Sequence, residues 1–141
     1  MPKSYLAKNI SLIFFLLYSL LSNAQLLSDS ELERQTVYTS INEAVKNPEK
    51  VYKLDLSKKK LRKIPIEVFS LYNLQELNLS KNKLESIPSE IGNLTNLQKL
   101  NISANKISKL PSTIGNLTNL KELIANRNNI NELPPEVGNL I

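Results

Sequence analysis

The residues that could do chemistry in this 141-residue chain are a small set, because it contains no histidine and no cysteine. Their absence excludes disulfides, thiolate chemistry, Cys/His zinc sites and histidine acid–base catalysis. The carboxylates that could act as general acids or bases include Asp55, Glu76 and Glu122. Each lies beside a lysine or a polar residue rather than a second carboxylate, so nothing in the sequence predicts a raised pKa.

Serine and lysine offer no better catalytic centre. Ser57, Ser80 and Ser103 recur at one spacing but have no histidine to activate them. Lys58 and Lys81 could in principle act as bases, but the polar residues around them predict solvated side chains. Phosphate-binding and dinucleotide-binding glycine motifs are also absent. The sequence therefore predicts a protein that is not an enzyme and that needs no metal or cofactor.

The polar residues recur every 23 residues, and this period reveals how they are positioned. Residues 74–96 read LQELNLSKNKLESIPSEIGNLTN, and residues 97–119 repeat the pattern. A weaker copy spans 51–73, and an incomplete one spans 120–141. Apolar residues are spaced by two around each LxL core, as in a strand, and by three later, as in a 3₁₀ or helical turn. Units of this kind bury their apolar sides only by stacking.

Residues at the same position of successive units are here called a column, and two columns predict structural roles for their residues. Asn82, Asn105 and Asn128 precede an inward Leu or Ile, where an amide side chain can satisfy backbone groups that leave the strand ladder. Lys59 replaces asparagine in the first unit, and we expect that turn to be looser. The glycine column, Gly92, Gly115 and Gly138, predicts a positive φ or a close approach of neighbouring units, and Phe69 replaces it in the first unit.

The pattern LxxLxLxxNxLxxIPxxIGNLxxL resembles the leucine-rich repeat, in the 23-residue subclass seen in Ras-suppressor-like and bacterial proteins. The resemblance covers residues 51–141 and implies an α/β solenoid, with short parallel strands on the concave face and 3₁₀ or helical segments on the convex face. The departures are Lys59, Phe69 and Ala125. Because the last unit is incomplete and no cap follows Ile141, we expect a fragment or a truncated gene product.

The first 50 residues differ from the array. Residues 1–24 carry a basic start, an apolar run and small residues before Gln25, the pattern of a secretory signal peptide. The apolar run is too short for a stable membrane span, although an uncleaved anchor and a core helix remain alternatives. Residues 25–50 are interpreted as a polar lead-in followed by a capping helix. A capping box of Ser40 and Glu43 would start this helix, and Ile41, Ala44 and Val45 would cover the open end of the array.

The resemblance places four outward-facing columns of the strands on the concave face. The first alternates in charge and the second is mostly polar. A basic ridge follows at the turns. The candidate partner-binding residues from these columns and the ridge are Lys53, Asp55, Lys58, Glu76, Asn78, Lys81, Lys83, Lys99, Asn101, Lys106, Glu122, Ile124 and Arg127. The alternating charges also have a structural explanation as a stacking ladder, and the ridge has one as a solvated edge.

Four functions are consistent with these features. The first is an exported, non-enzymatic module that binds a protein through its concave face. The others are the recognition domain of a longer protein, which could include an enzyme domain, a surface adhesin for anionic glycans, and an intracellular signalling scaffold if residues 1–24 are not a leader. The expected partner is a protein, with an acidic protein or an anionic glycan as the ligand of the ridge. Nucleic acid is not expected, because the net charge of +5 is small and the exposed face lacks aromatic residues. The expected location is secreted or in the cell envelope, with the cytoplasm as the alternative.

Overall fold

The computed structural model describes residues 26–140 as an α/β solenoid built on one five-stranded parallel sheet. The strands pair in chain order, and equivalent residues of successive units lie opposite one another, as in Leu54, Leu77, Leu100 and Leu123. This register confirms the predicted period. The strands are β1 (Val37–Tyr38), β2 (Lys53–Asp55), β3 (Glu76–Asn78), β4 (Lys99–Asn101) and β5 (Glu122–Ile124).

Five 3₁₀ helices complete the units. Four of them directly follow a proline, and three of these four lead into a strand of the next unit. The predicted change of apolar spacing from two to three coincides with this switch from strand to 3₁₀ helix. The ranges are Pro48–Lys50, Ile66–Ser70, Ser89–Asn93, Ser112–Asn116 and Pro135–Asn139.

The core is a single apolar cluster that runs through the stacked units. Val51, Leu74 and Leu97 are fully buried in it, whereas the equivalent Leu120 is only partly buried. Leu133 is 58% exposed, although Leu110 in the same column is 2% exposed. Within the part of the chain that the structure describes, no further unit stacks on the last one, which explains this difference.

The predicted asparagine column links successive units, as expected. Asn82 Nδ2 donates to the carbonyl oxygens of Leu56 and Leu79, and its Oδ1 accepts from the amides of Lys59 and Leu61 at 3.0 Å. Asn105 and Asn128 donate to the equivalent carbonyls one and two units later, and each accepts one amide hydrogen, from Leu84 and Ile107 respectively. A second column was not predicted. Each of its side chains donates to a carbonyl of the preceding unit, and its members are Asn73, Asn96 and Asn119.

The backbone of the first turn is hydrogen-bonded even though Lys59 replaces asparagine there, because Asn82 of the next unit accepts the Lys59 amide hydrogen. The turn differs in its backbone instead. Lys58 and Lys60 both adopt positive φ there, of 58° and 60°, whereas each later turn contains one such residue. The first turn therefore differs from the later turns by a second residue in the left-handed conformation.

The glycine column reflects close packing, not positive φ. No glycine among residues 26–140 has a positive φ. A Cβ built on Gly92 would lie 2.8 Å from Thr113 Cβ and from its carbonyl oxygen, and one on Gly115 would lie 2.7 Å from Glu136. Nothing lies within 4 Å at Gly138. The glycines therefore let consecutive 3₁₀ helices approach.

The predicted capping box at Ser40 is wrong. Helix α2 (Ile41–Ala44) exists, but the Ser40 side chain makes no capping hydrogen bond. The Glu43 carboxylate instead accepts from Lys46 Nζ at 2.8 Å. Ala44 is buried and Ile41 packs on the core, as expected, whereas Val45 is exposed and was wrongly placed on the covering face.

The lead-in has more structure than its composition suggested. Helix α1 (Asp29–Glu33) begins with a capping box of Ser28 and Glu31, and the β1 strand follows it. Leu32 is buried on this helix. Thus part of the segment interpreted as an irregular lead-in forms the first strand of the sheet.

Residues 26–35, here called the N-terminal strap, reach across several units. The Leu27 amide donates to Gln75 Oε1 and its carbonyl accepts from Gln98 Nε2. Gln98 Nε2 also donates to Gln75 Oε1 at 2.8 Å, and both glutamines are buried. Lys121 Nζ lies 3.1 Å from Asp29 Oδ1. The strap therefore contacts the second, third and fourth units.

None of the helices within residues 26–140 is long and apolar enough to cross a membrane. The predicted signal peptide, residues 1–24, lies outside the described residues.

Candidate functional site

The concave face of the sheet forms a groove with a volume of about 320 Å³. Backbone alternation positions its residues, because side chains of a strand point to opposite faces in turn. Lys53 and Asp55 thus face the groove while Leu56 enters the core. The groove is lined by Val37, Lys53, Leu54, Asp55, Glu76, Leu77, Asn78, Lys99, Leu100, Asn101, Glu122 and Ile124.

The groove contains every candidate that the sequence placed in the first two concave columns. These residues are Lys53, Asp55, Glu76, Asn78, Lys99, Asn101, Glu122 and Ile124. The other candidates, Lys58, Lys81, Lys83, Lys106 and Arg127, belong to the turns and do not line the groove. The structure therefore separates the predicted residues into two adjacent surfaces.

The first column forms an ion-pair ladder across three strands. The Glu76 carboxylate lies between Lys53 Nζ, at 3.1 Å from Oε2, and Lys99 Nζ, at 2.9 Å from Oε1. The hydrogen bond and charge of Glu76 raise the pKa of Lys99 above its ordinary value. Glu122 continues the column, is exposed, and makes no ion pair among residues 26–140. The ladder therefore ends in a carboxylate that is available to a partner.

The second column is largely occupied by local hydrogen bonds. Asp55 Oδ1 accepts the amide hydrogen of Ser57, and Asn78 Nδ2 donates to Asp55 Oδ2 at 3.2 Å. Asn101 Oδ1 accepts both the amide and the hydroxyl of Ser103. These bonds hold the strand ends in shape and fix the side chains before any partner arrives.

The two ends of the groove are apolar. Ile124 on β5 is 36% exposed and replaces the polar residues found earlier in its column. Val37 on β1 is 47% exposed at the other end and was missed by the sequence analysis. The run of β-branched and aromatic residues at 36–39, TVYT, is the signal that could have revealed this strand.

The basic ridge runs alongside the groove at the turns that follow the strands. Its members are Lys58, Lys59, Lys60, Lys81, Lys83, Lys106 and Arg127. All seven are exposed, and none forms an ion pair within residues 26–140. Lys58, Lys60, Lys81 and Arg127 have left-handed backbone conformations.

The side chains that line the groove are suited to apolar contacts and hydrogen bonds with a partner, and they do not form a recognisable catalytic arrangement. No group of three or more acidic residues suited to a metal ion occurs within residues 26–140. The hydroxyl of Ser103 donates to the neutral amide oxygen of Asn101, which cannot accept its proton as a base would. Within the ladder, the Glu76 carboxylate is paired with both Lys53 and Lys99.

Comparison with solved structures gives similar solenoids. A leucine-rich repeat protein of Leptospira interrogans shares 35% identity at a TM-score of 0.62, covering 75% of this chain and 33% of its own. The BIR3–SERK2 complex from Arabidopsis thaliana shares 33% identity at a TM-score of 0.54, covering 62% of this chain and 50% of its own. The plant peptide hormone receptor RGFR1 in complex with RGF2 shares 33% identity at a TM-score of 0.56, covering 74% of this chain and 17% of its own. The chain thus spans half or less of each of these three proteins.

The comparison with curated proteins gave no significant match. The family model for the leucine-rich repeat region matches residues 50–141. This range contains strands β2 to β5, both asparagine columns and the glycine column. The chain belongs to the leucine-rich repeat family.

Proposed function

We propose that this chain is an exported, non-enzymatic module that binds a protein partner in its concave groove. The observation that carries the proposal is the groove itself, with exposed apolar residues at both ends and a polar, preorganised floor between them. The solved complexes among its structural relatives support protein binding, because the RGFR1 receptor was solved with RGF2 and BIR3 with SERK2.

The spacing of the apolar ends favours an extended segment or a loop edge as the bound element. Val37 and Ile124 lie on the first and fifth strands, four strand spacings apart. At about 4.8 Å per spacing, the ends are separated by roughly 19 Å. An extended chain covers that distance in about six residues. A partner with two apolar side chains at this separation would bury both ends of the groove.

The floor of the groove favours binding over catalysis. Glu76 is held between two lysines, and the Asp55 carboxylate accepts hydrogen bonds on both oxygens. Both carboxylates are therefore already held in place by partners within the chain. Such fixed polar groups lower the ordering cost of binding.

Affinity capture with groove variants tests this proposal. The mature chain, residues 25–141, would be immobilised and exposed to extracellular material from its native source, with partners identified by mass spectrometry. Ile124→Arg and Val37→Arg each place a charge at one apolar end, and we expect both to abolish capture of the partner held by the wild type. Ile66→Arg is the matched control, because Ile66 is 67% exposed on a convex 3₁₀ helix.

The result that contradicts groove binding is equal capture by all four proteins, or loss of capture with Ile66→Arg alone. Thermal unfolding of each variant shows whether the fold is retained, because exposed positions should tolerate arginine with little change in stability. A hydrolytic activity of the wild type on captured material would argue against a non-enzymatic module.

Export is tested separately by sequencing the amino terminus of the protein from its native source. Cleavage of residues 1–24 predicts a mature chain that begins at Gln25 and is found outside the cytoplasm. Recovery of a cytoplasmic protein with residues 1–24 intact would instead favour an intracellular scaffold.

A further inference from the structure

We propose that the basic ridge is a second contact surface, which selects partners carrying an acidic segment next to the part that fills the groove. This inference rests on the proposed function, and it specifies the chemistry of the protein partner. It assigns a role to side chains that do not line the groove and that the stacking of units leaves unused.

The charges of the ridge are not neutralised within the described chain. All four ion pairs of residues 26–140 lie elsewhere, and they occupy Lys46, Lys53, Lys99 and Lys121. The ridge therefore presents seven exposed cations on one edge of the solenoid. Cations clustered in this way create a positive potential that attracts an oppositely charged segment.

The backbone of the ridge is unusual for lysine and arginine. Lys58, Lys81 and Arg127 occupy one column with φ of 58°, 56° and 56°. Glycine or asparagine adopts such angles at a lower cost than other residues. Stacking does not require a cation at this column, because Ala104 occupies it in the third unit with the same backbone. The long cationic side chains therefore need another explanation, and partner binding supplies one.

The sheet holds the ridge in place before a partner binds. The Lys58 amide donates to the Ser80 carbonyl at 3.1 Å, and the Lys81 amide donates to the Ser103 carbonyl at 2.9 Å. The amides of Lys83 and Lys106 donate in the opposite direction, to the Leu61 and Leu84 carbonyls of the preceding unit, at 2.8 Å. Successive turns therefore lie one strand spacing apart, about 4.8 Å. Each of the four turns therefore carries at least one exposed cation.

The ridge is continuous with the groove, and this continuity favours a protein segment over a glycan. Asp55, Asn78 and Ile124 line the groove, and Lys58, Lys81 and Arg127 follow each by three residues. One partner can therefore contact both surfaces. The exposed Val37 and Ile124 call for apolar side chains, which a polypeptide can carry beside acidic residues and a sulfated polysaccharide cannot.

A labelled peptide of about ten glutamates provides the direct test, measured by fluorescence anisotropy with the mature chain. The ridge variant is Lys81→Glu with Lys83→Glu, and the matched control is Lys50→Glu with Lys109→Glu, which makes the same charge change at exposed positions off the ridge. We expect the ridge variant to weaken binding at least about fivefold, and the control to change it less than about twofold. Raising NaCl from about 50 to about 300 mM should weaken wild-type binding.

Three results would overturn the inference: no saturable binding of the peptide, equal losses in both variants, or binding of heparin without binding of the peptide. The last result would identify a glycan surface instead. Ile124→Arg separates this test from the proposed function, because its added positive charge should leave peptide binding at least as tight as in the wild type, while partner capture is lost. Retained partner capture by the ridge variant, with loss only in Ile124→Arg, would support the groove and reject the ridge as a selector.

Discussion

Asn82 illustrates how a single side chain joins two units of the array. It is buried, and its amide group makes hydrogen bonds to the backbone of its own unit and of the preceding one. Without this side chain, several backbone groups at the turn would lose their partners away from water. A buried polar group without a partner costs about 1–3 kcal/mol.

Asn82→Ala should therefore lower the free energy of unfolding by about 2–4 kcal/mol, measured by urea denaturation. Asn128→Ala is the matched control, because Asn128 is partly exposed in the last unit, where water can replace some of its bonds. A smaller loss is expected there. Equal losses at both positions would show that burial does not set the cost.

At the residue scale, the sequence predicted the columns that face inward, because their type and spacing repeat. It also predicted eight of the groove residues. It did not predict how their polar groups pair. The bond from Asn78 to Asp55 and the double contact of Glu76 depend on side-chain rotamers and strand spacing, which no one-dimensional pattern encodes. Val37 was missed because its unit lacks the repeat pattern.

At the element scale, the glycine column controls how closely neighbouring 3₁₀ helices pack. Gly92→Ala would bring a methyl group to 2.8 Å from Thr113, so the helices must move apart. We expect a loss of about 1–3 kcal/mol in unfolding free energy, typical of overpacking. The measurement is thermal or chemical unfolding of the variant beside the wild type.

Gly138→Ala is the control for this change, since nothing lies within 4 Å of the added methyl group. It should be neutral, or should stabilise the chain by up to about 1 kcal/mol through reduced freedom of the unfolded state. A loss as large as that of Gly92→Ala would mean that glycine is required by the backbone and not by packing.

The start of α1 should respond to acid. Hydrogen bonds from the side chain and backbone of Ser28 hold the pKa of Glu31 below its ordinary value of 4.5. A lowered pKa in the folded state means that the stabilisation is present above the ordinary pKa and is lost as pH falls through the folded value. The Cα chemical shifts of α1, followed by NMR, should therefore move towards coil values in acid.

Glu31→Gln provides the control for the acid response of α1. Its side chain does not titrate, so the dependence of the α1 shifts on acid should largely disappear. The same shift changes in the wild type and in Glu31→Gln would contradict the role of the Glu31 carboxylate in the capping box.

The capping boxes also show the limit of local patterns at this scale. Ser28 and Glu31 have the same spacing as Ser40 and Glu43, so the motif alone does not distinguish them. Only the first forms, and the Glu43 carboxylate pairs with Lys46 instead. The choice depends on which neighbours the folded chain supplies. The strands and 3₁₀ helices of the array, by contrast, were predicted because four units repeat one pattern.

On the scale of the whole molecule, the N-terminal strap distinguishes this chain from a simple repeat array. Stacked repeats ordinarily contact only their neighbours. Here the strap contacts Gln75, Gln98 and Lys121, which belong to three successive units. It therefore links the second unit to the fourth, and these two units are not neighbours in the stack. The sequence did not reveal this link, because it joins residues 92 positions apart through a segment without periodicity.

The β1 strand, which follows the strap, also extends the concave face. Val37 lies two residues after the strap and supplies one apolar end of the groove, while Ile124 in the fourth unit supplies the other. The groove thus includes a residue of the non-repeating segment as well as residues of the array.

Hydroxyl-radical footprinting of the chain, free and bound to its captured partner, tests the central claim most directly. It reads the solvent exposure of individual side chains, and four exposed residues mark the two faces: Val37 and Ile124 in the groove, Ile66 and Tyr72 outside it. Groove binding predicts that oxidation of Val37 and Ile124 falls in the complex while that of Ile66 and Tyr72 does not change. Protection of Ile66 and Tyr72, with Val37 and Ile124 as reactive as in the free chain, would contradict it.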